Sequence, residues 1–303
     1  MTFRRFDTAG HVTVRVKCKA GEVQLISHDE PTTEVEVSAL DAADEEVASR
    51  TRIDDDASRS DHHRVTVEVP SDGADGGFLS RVVSLTSGGA KVRVVVRCPA
   101  GADLEVTTAS ASIDAVGHFG AVDAKSASGD TRLEHVAGDL TVRSASGDIW
   151  VIRADAGAKI DSASGDVRCG YLEGVTTIST ASGDVTVQSA ESPLTVRTAS
   201  GDVEAHDVFA GCAIHTASGD QRVERAVAGD TRLDTVSGDL QIGVAKGTTV
   251  HVHAESVTGD LASDIDLDGD PGDDPADGDG PALDLRARTV SGDVRIRRAP
   301  AMT

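Results

Sequence analysis

The chain has 303 residues with a formal net charge of −22, and 39% of it is hydrophobic but only 2% aromatic. A charge of that sign, with no basic stripe to offset it, excludes a nucleic-acid partner. With one Trp and one Tyr, the core has to be Val, Ile, Leu and Ala, which suits a narrow stacked interior better than a broad globular one.

Residues 1–100 read as strands. His11 to Cys18 alternates apolar and polar residues, and Glu34 to Val37, Arg64 to Val69 and Lys91 to Val96 do the same. Pro31, Pro70 and Pro99 punctuate these runs where a missing donor costs no ladder bond. Asp41 to Arg52 has acidic residues early and arginines late, the polarity of a short helix. Ser71 to Gly77 reads as a flexible loop. The whole block is expected to be an antiparallel β cap, because a stack of coils exposes a raw sheet edge that invites end-to-end pairing. A separately folded domain is the alternative.

From residue 101 a repeat takes over. Ser126-Ala127-Ser128-Gly129-Asp130 returns at Ser144, Ser162, Thr180, Thr198 and Thr216, so that the Gly-Asp step recurs every 18 residues. Degenerate copies stand at Thr108 to Ser110, Ser237 to Asp239, Thr258 to Asp260 and Ser291 to Asp293. A short fixed period means stacked units that touch only their neighbours. Counting from the residue after Gly-Asp, positions 1 and 3 are apolar (Ile149/Val151, Val185/Val187), and so are positions 10 and 12 (Leu140/Val142, Leu194/Val196). Two bursts of period-2 alternation per unit predict two strands per turn of an all-β parallel solenoid, right-handed by the general crossover preference. Successive coils should lie about 4.8 Å apart, so ten turns would span roughly 45 Å.

After residue 230 the spacing slips to 19, 21 and then 33 residues. Residues 101–263 are therefore assigned to the repeats. The run 264–281, rich in Asp, Gly and Pro, is assigned to an exposed loop. Residues 282–303 are assigned to closing strands, Leu283 to Arg288 and Val294 to Arg298.

Stacking would line up Asp130, Asp148, Asp166, Asp184, Asp202, Asp220 and Asp239 in one column, each about 5 Å from the next. Like charges that close repel by on the order of 1 kcal/mol in water. Either each carboxylate accepts N–H bonds across its own turn, or bound Ca²⁺ neutralises the column. The corner lacks the Gly-Gly pair and Gly-x-Asp spacing of the nine-residue calcium repeats, which favours the turn. Asp264, Asp266 and Asp268 match the opening of a calcium loop, but the twelfth position, where a bidentate Glu is needed, is Pro275.

His62-His63 and His251/His253 lack an identifiable third ligand and read as surface histidines. Cys18, Cys98, Cys169 and Cys212 are too dispersed for a zinc or disulfide framework and read as buried small hydrophobes. No Gly-x-Ser-x-Gly elbow appears. A polysaccharide-acting helix would need paired carboxylates, and also aromatic platforms, for which the repeats offer only Phe119, Trp150, Tyr171 and Phe209. No catalytic residue is assigned.

The reiterated [ST]-A-S-G-D-[VIL] corners, the opening Phe6 to Gly10 and the closing Arg286 to Arg298 resemble one bacterial β-strand-repeat family. It is the "putative adhesin" domain of unknown function 4097, of the actinobacterial type. The resemblance covers nearly the whole chain. It implies the repeat architecture and carries no catalytic or cofactor-binding residues. Together the residues and the resemblance predict a non-enzymatic scaffold or interaction protein whose partner is another protein or a second copy. The opening Met1 to Asp7 has no apolar leader, and no run of 18 apolar residues occurs. A cytoplasmic location without a membrane span is expected, with a surface adhesin or a calcium-binding β-roll as alternatives.

Overall fold

The computed structural model describes residues 1–59, 62–70, 90–265 and 281–300. The chain divides into two compact units, Met1–Ala154 and Asp155–Thr303. In each, successive coils contribute one strand to each of two sheets, and the strands stack in parallel.

The repeat period sets the register. In the second unit Val185 lies opposite Val203 and Val187 opposite Ala205, while Leu194 lies opposite Cys212 and Val196 opposite Ile214. The residues at positions 1, 3, 10 and 12 point inward and are buried, including Ile149, Val151, Leu194, Val196, Val203 and Ala205. The intervening Thr186, Glu204, Thr195 and Arg197 lie outward and are at least partly exposed. Alternation by two along a strand thus becomes an apolar column across the stack.

The first unit begins with the expected antiparallel strands. Thr2–Asp7 pairs with Thr32–Ala39, which pairs with Lys91–Pro99, and Arg52–Arg59 pairs with His62–Glu68, all antiparallel. A short helix, Glu45–Ser49, follows the turn Ala42–Asp44 and buries Val47 and Ala48. The cap is smaller than the block 1–100, however. His11–Cys18 pairs in parallel with His62–Glu68 and Asp103–Thr108. Ala20–His28 pairs in parallel with Lys91–Pro99 and Ser112–Phe119. These strands belong to the coils, and the stack begins well before residue 101. Alternation reports a half-buried strand and says nothing of the direction of its neighbours. The expected loop at Ser71 to Gly77 lies outside the described residues.

In each unit the stacking order departs from chain order at one place. The coil 11–28 lies between a layer formed by His62–Glu68 and Lys91–Pro99 and the coil 103–119. In the second unit Ala282–Thr289 lies between Gly229–Asp234 and Thr249–Ser256. Val294–Arg298 likewise lies between Leu240–Val244 and Leu261–Ser263. The strands expected to close the stack are therefore its penultimate layer, and residues 249–263 form the outer one. The guanidinium of Arg298 donates to the carbonyls of Ala245 (3.2 Å) and Thr248 (3.4 Å), tying down the connection that passes to the outer coil.

Candidate functional site

The corner at which each unit turns from one sheet to the other comes in two forms, and the residue opening it decides which. Where it is Ser, the hydroxyl closes the turn on itself. Ser126 Oγ donates to the Gly129 carbonyl at 2.8 Å and accepts the Gly129 N–H at 2.9 Å. Ser144 and Ser162 repeat this with Gly147 and Gly165. The preceding strands, such as Leu140–Ser144, stop at that Ser after 5 residues.

Where the opening residue is Thr, the strand runs on. Thr176–Ser182, Leu194–Ser200 and Cys212–Ser218 each have 7 residues. The Gly183 and Gly201 N–H groups donate instead to the carbonyls of Ser200 and Ser218, one coil on. The β-branched side chain favours continued strand. The buried Oγ1 atoms of Thr180 and Thr198 have no hydrogen-bond partner among the described residues. Gly201 then takes φ +143°, with a Cβ position 2.3 Å from the Gly183 carbonyl oxygen, so only glycine fits.

Within each unit the corner aspartates line up as expected, but they bond differently. The expectation was a carboxylate that accepts N–H groups of its own turn. Instead each Oδ1 accepts the backbone N–H of the corresponding Asp in the adjacent coil. Asp148 donates to Asp130 at 3.2 Å in the first unit. In the second, Asp184 donates to Asp166, Asp202 to Asp184, Asp220 to Asp202 and Asp239 to Asp220, at 2.8–3.0 Å. The ladder follows the stack rather than the chain, continuing from Asp239 to Asp293 and then to Asp260. The reason is geometric: coil stacking brings a free N–H to each carboxylate, so the charge-assisted bond forms between layers.

The second oxygens divide the column. Asp166 Oδ2 accepts from Arg168, and Asp293 Oδ2 from Arg295. Between them, the second oxygens of Asp184, Asp202, Asp220 and Asp239 have no partner among the described residues. The residue two beyond each Asp explains this, being Thr186, Glu204, Arg222 or Gln241, of which only Arg222 is cationic. It is engaged elsewhere, donating to Glu224 at 2.7 Å and lying 3.6 Å from Glu204. These four aspartates and the four residues beyond them line a groove of about 380 Å³.

A column cannot easily enclose a hard cation. Carboxylates one strand spacing apart, about 4.8 Å, present two neighbours to any gap, and Ca²⁺ takes 6–8 oxygens. Among the described residues, the one trio whose ligand atoms lie within 4.8 Å of one another is Glu204, His206 and Glu224, on the outer sheet face beside the groove. Sequence reading missed it, although the signal was there. Glu204 and His206 are at positions 2 and 4 of one unit, and Glu224 is at position 4 of the next, so folding the sequence at its period superposes the last two. Burial would raise the carboxyl pKa of Glu224, but the hydrogen bond from Arg222 and the charge of His206 outweigh it and hold the group below the usual range.

The remaining candidates do not assemble. Asp264, just past the strand Leu261–Ser263, donates its backbone N–H to the Ile296 carbonyl at 2.9 Å. Asp266 and Asp268 lie outside the described residues, as does the rest of the expected exposed loop up to residue 280. His251 and His253 are exposed on Thr249–Ser256, with His253 3.0 Å from Glu255. His62 meets Thr13, and His63 meets Asp55. Phe119 is buried in the core, and Trp150 lies under the Arg132 guanidinium at 4.3 Å. All four cysteines are buried and unpaired. No helix among the described residues is long and apolar enough to cross a membrane.

Two sheets of parallel strands, stacked in register with glycine-aspartate corners, define a β-solenoid-type repeat protein. The chain belongs to the Toastrack DUF4097 family, whose model matches residues 48–297. It is similar to a "putative cell adhesion protein" from Clostridium sporogenes (10% identity, 98% of this chain and 99% of that one, TM-score 0.24). Also similar are a "putative lipid binding protein" from Parabacteroides distasonis (10%, 97% and 96%, TM-score 0.43) and a "putative adhesin" from Bacteroides fragilis (10%, 97% and 96%, TM-score 0.42). No curated protein matches the sequence.

Proposed function

We propose that this chain is a non-enzymatic interaction scaffold whose aspartate corner receives an extended, Lys- or Arg-bearing segment of a partner protein. The observation that carries this reading is the row of four carboxylates, Asp184, Asp202, Asp220 and Asp239, along one groove. Each has one oxygen in the ladder and no partner for the other among the described residues. An extended cationic segment can follow such a row and form charge-assisted bonds along it. The net charge of −22 would draw such a partner in from a distance.

The test is fluorescence anisotropy with a labelled hexalysine peptide, against the wild-type chain and the triple variant Asp184→Asn/Asp202→Asn/Asp220→Asn. Asparagine keeps the oxygen that the ladder needs. Saturable binding that weakens with salt, and by tenfold or more in the variant, supports the proposal. Binding that the variant leaves intact, or no binding at low salt, overturns it. A cytoplasmic location accompanies this reading. Digestion of the protein by protease added to intact cells would replace it with the surface-adhesin reading.

A further inference from the structure

We infer that Glu204, His206 and Glu224 form a binding site for a divalent first-row transition ion, separate from the aspartate ladder and sharing only Glu204 with the lining of the groove. Glu204 and His206 project outward from the strand Val203–Val208, and Glu224 from its parallel neighbour Gln221–Ala226. One imidazole nitrogen and two carboxylate oxygens lie within 4.8 Å of one another.

Three features suit a metal. First, His206 Nδ1 is 3.3 Å from Glu224 Oε2, which is long for an N–H···O bond, whose usual range ends near 3.2 Å. It equals the distance, about 3.3 Å, between two ligands of a tetrahedral ion bonded at about 2.0–2.1 Å. Second, Arg222 donates to Glu224 through Oε1, leaving Oε2 on the His206 side. A ligating carboxylate is commonly oriented by such a bond to its other oxygen. Third, the strands fix the three side chains in register, and all three are only partly buried, so solvent or a partner side chain can complete the coordination. An imidazole in the set selects Zn²⁺, Co²⁺ or Ni²⁺ over Mg²⁺ and Ca²⁺, which prefer oxygen alone. Binding would draw Glu204 off Arg222, which lies 3.6 Å away.

The test is calorimetric titration of the EDTA-stripped full chain with ZnCl₂ at pH 7.5, with MgCl₂ as the control for general attraction to an acidic protein. One saturable Zn²⁺ site per chain, at least tenfold weaker in His206→Ala and in Glu224→Gln, is expected. Titration with Co²⁺ should give a visible absorption band that His206→Ala abolishes. Zn²⁺ binding no tighter than Mg²⁺ binding overturns the assignment. So does a site that survives His206→Ala unchanged, since the chain has 10 histidines that could bind Zn²⁺ elsewhere. His206 is a partly exposed residue on a sheet face, and circular dichroism of each variant checks that the fold is retained.

Discussion

The backbone N–H of Asp220 donates to Oδ1 of Asp202 at 2.8 Å, across one layer of the stack. This bond lets a column of like charges stand. Each carboxylate faces a donor that the neighbouring coil supplies, and that attraction opposes a repulsion of on the order of 1 kcal/mol per exposed pair. Asp202→Ala should lower unfolding stability by about 1–3 kcal/mol, the cost of losing a bond to a charged acceptor. Asp202→Asn keeps the acceptor, removes one charge, and should unfold within about 0.5 kcal/mol of wild type, a change of ordinary surface size. Urea denaturation of the pair tests this. Equal losses in both would show that charge, rather than the acceptor, is what matters.

The two corner forms predict opposite responses to removing a hydroxyl. Ser144→Ala takes away a group bonded to both the N–H and the carbonyl of Gly147 and should cost about 1–2 kcal/mol. Thr198→Val removes a buried oxygen with no partner among the described residues and should be neutral or stabilising by up to about 1 kcal/mol. Thermal midpoints that move the same way in both would refute the distinction.

Gly201→Ala should destabilise by at least about 2 kcal/mol. It combines a left-handed φ with a Cβ position 2.3 Å from the Gly183 carbonyl oxygen. Gly101 also has a positive φ, of +80°, but its Cβ position meets nothing within 4 Å. Gly101→Ala should therefore carry the conformational cost alone, about 1 kcal/mol. A Gly101→Ala loss as large as that of Gly201→Ala would remove the stacking clash as the cause.

Burial pushes the thiols of Cys98, Cys169 and Cys212 up to about 12 and that of Cys18 to about 11, from 9.0. The folded chain holds these protons more tightly than the unfolded one. Their contribution to stability is therefore complete below pH 9 and is lost progressively as pH rises from there toward 12. Denaturation midpoints should fall over that window. At pH 8 the native protein should react with Ellman's reagent far more slowly than the unfolded chain. Rapid reaction of all four thiols without unfolding would contradict the burial.

Deleting everything from Ala282 onward would remove an inner layer rather than an end. Thr249–Ser256 and Leu261–Ser263 have their hydrogen-bonded neighbours in that layer. Their amides should lose protection from hydrogen exchange, while those of Leu194–Ser200 remain protected. Retained protection over 249–263 would show that the outer coil can pair directly with the preceding one.

Much of this was legible in the sequence because a period of 18 converts one-dimensional spacing into lateral contact. Val185 and Val203 could be paired from their numbers alone, and the aspartate column followed. Other features depend on information that a period does not hold. Ser144 and Thr198 occupy the same repeat position, and a single methyl group decides whether the next glycine N–H bonds the opening hydroxyl or a carbonyl one coil on. The place of Val294–Arg298 inside the stack could not be read because beyond residue 230 the unequal spacings no longer say which coil lies next to which. His206 and Glu224 stand 18 residues apart and are superposed by the same folding, but as a single pair, without the recurrence that marks the corners.

The displaced coils bear on how the protein is made. Residues 11–28 leave the ribosome before either of the layers that flank them, one of which ends at Phe119. At 5–20 residues per second the nascent coil waits on the order of ten seconds with strand edges open to solvent. Residues 282–298 meet the reverse problem, emerging after both of the layers that flank them. Assembly therefore cannot proceed simply from one end to the other during translation. The outer coil must either remain undocked until Arg298 has been made or dock early and be displaced, so its final place in the stack waits on residues made after it.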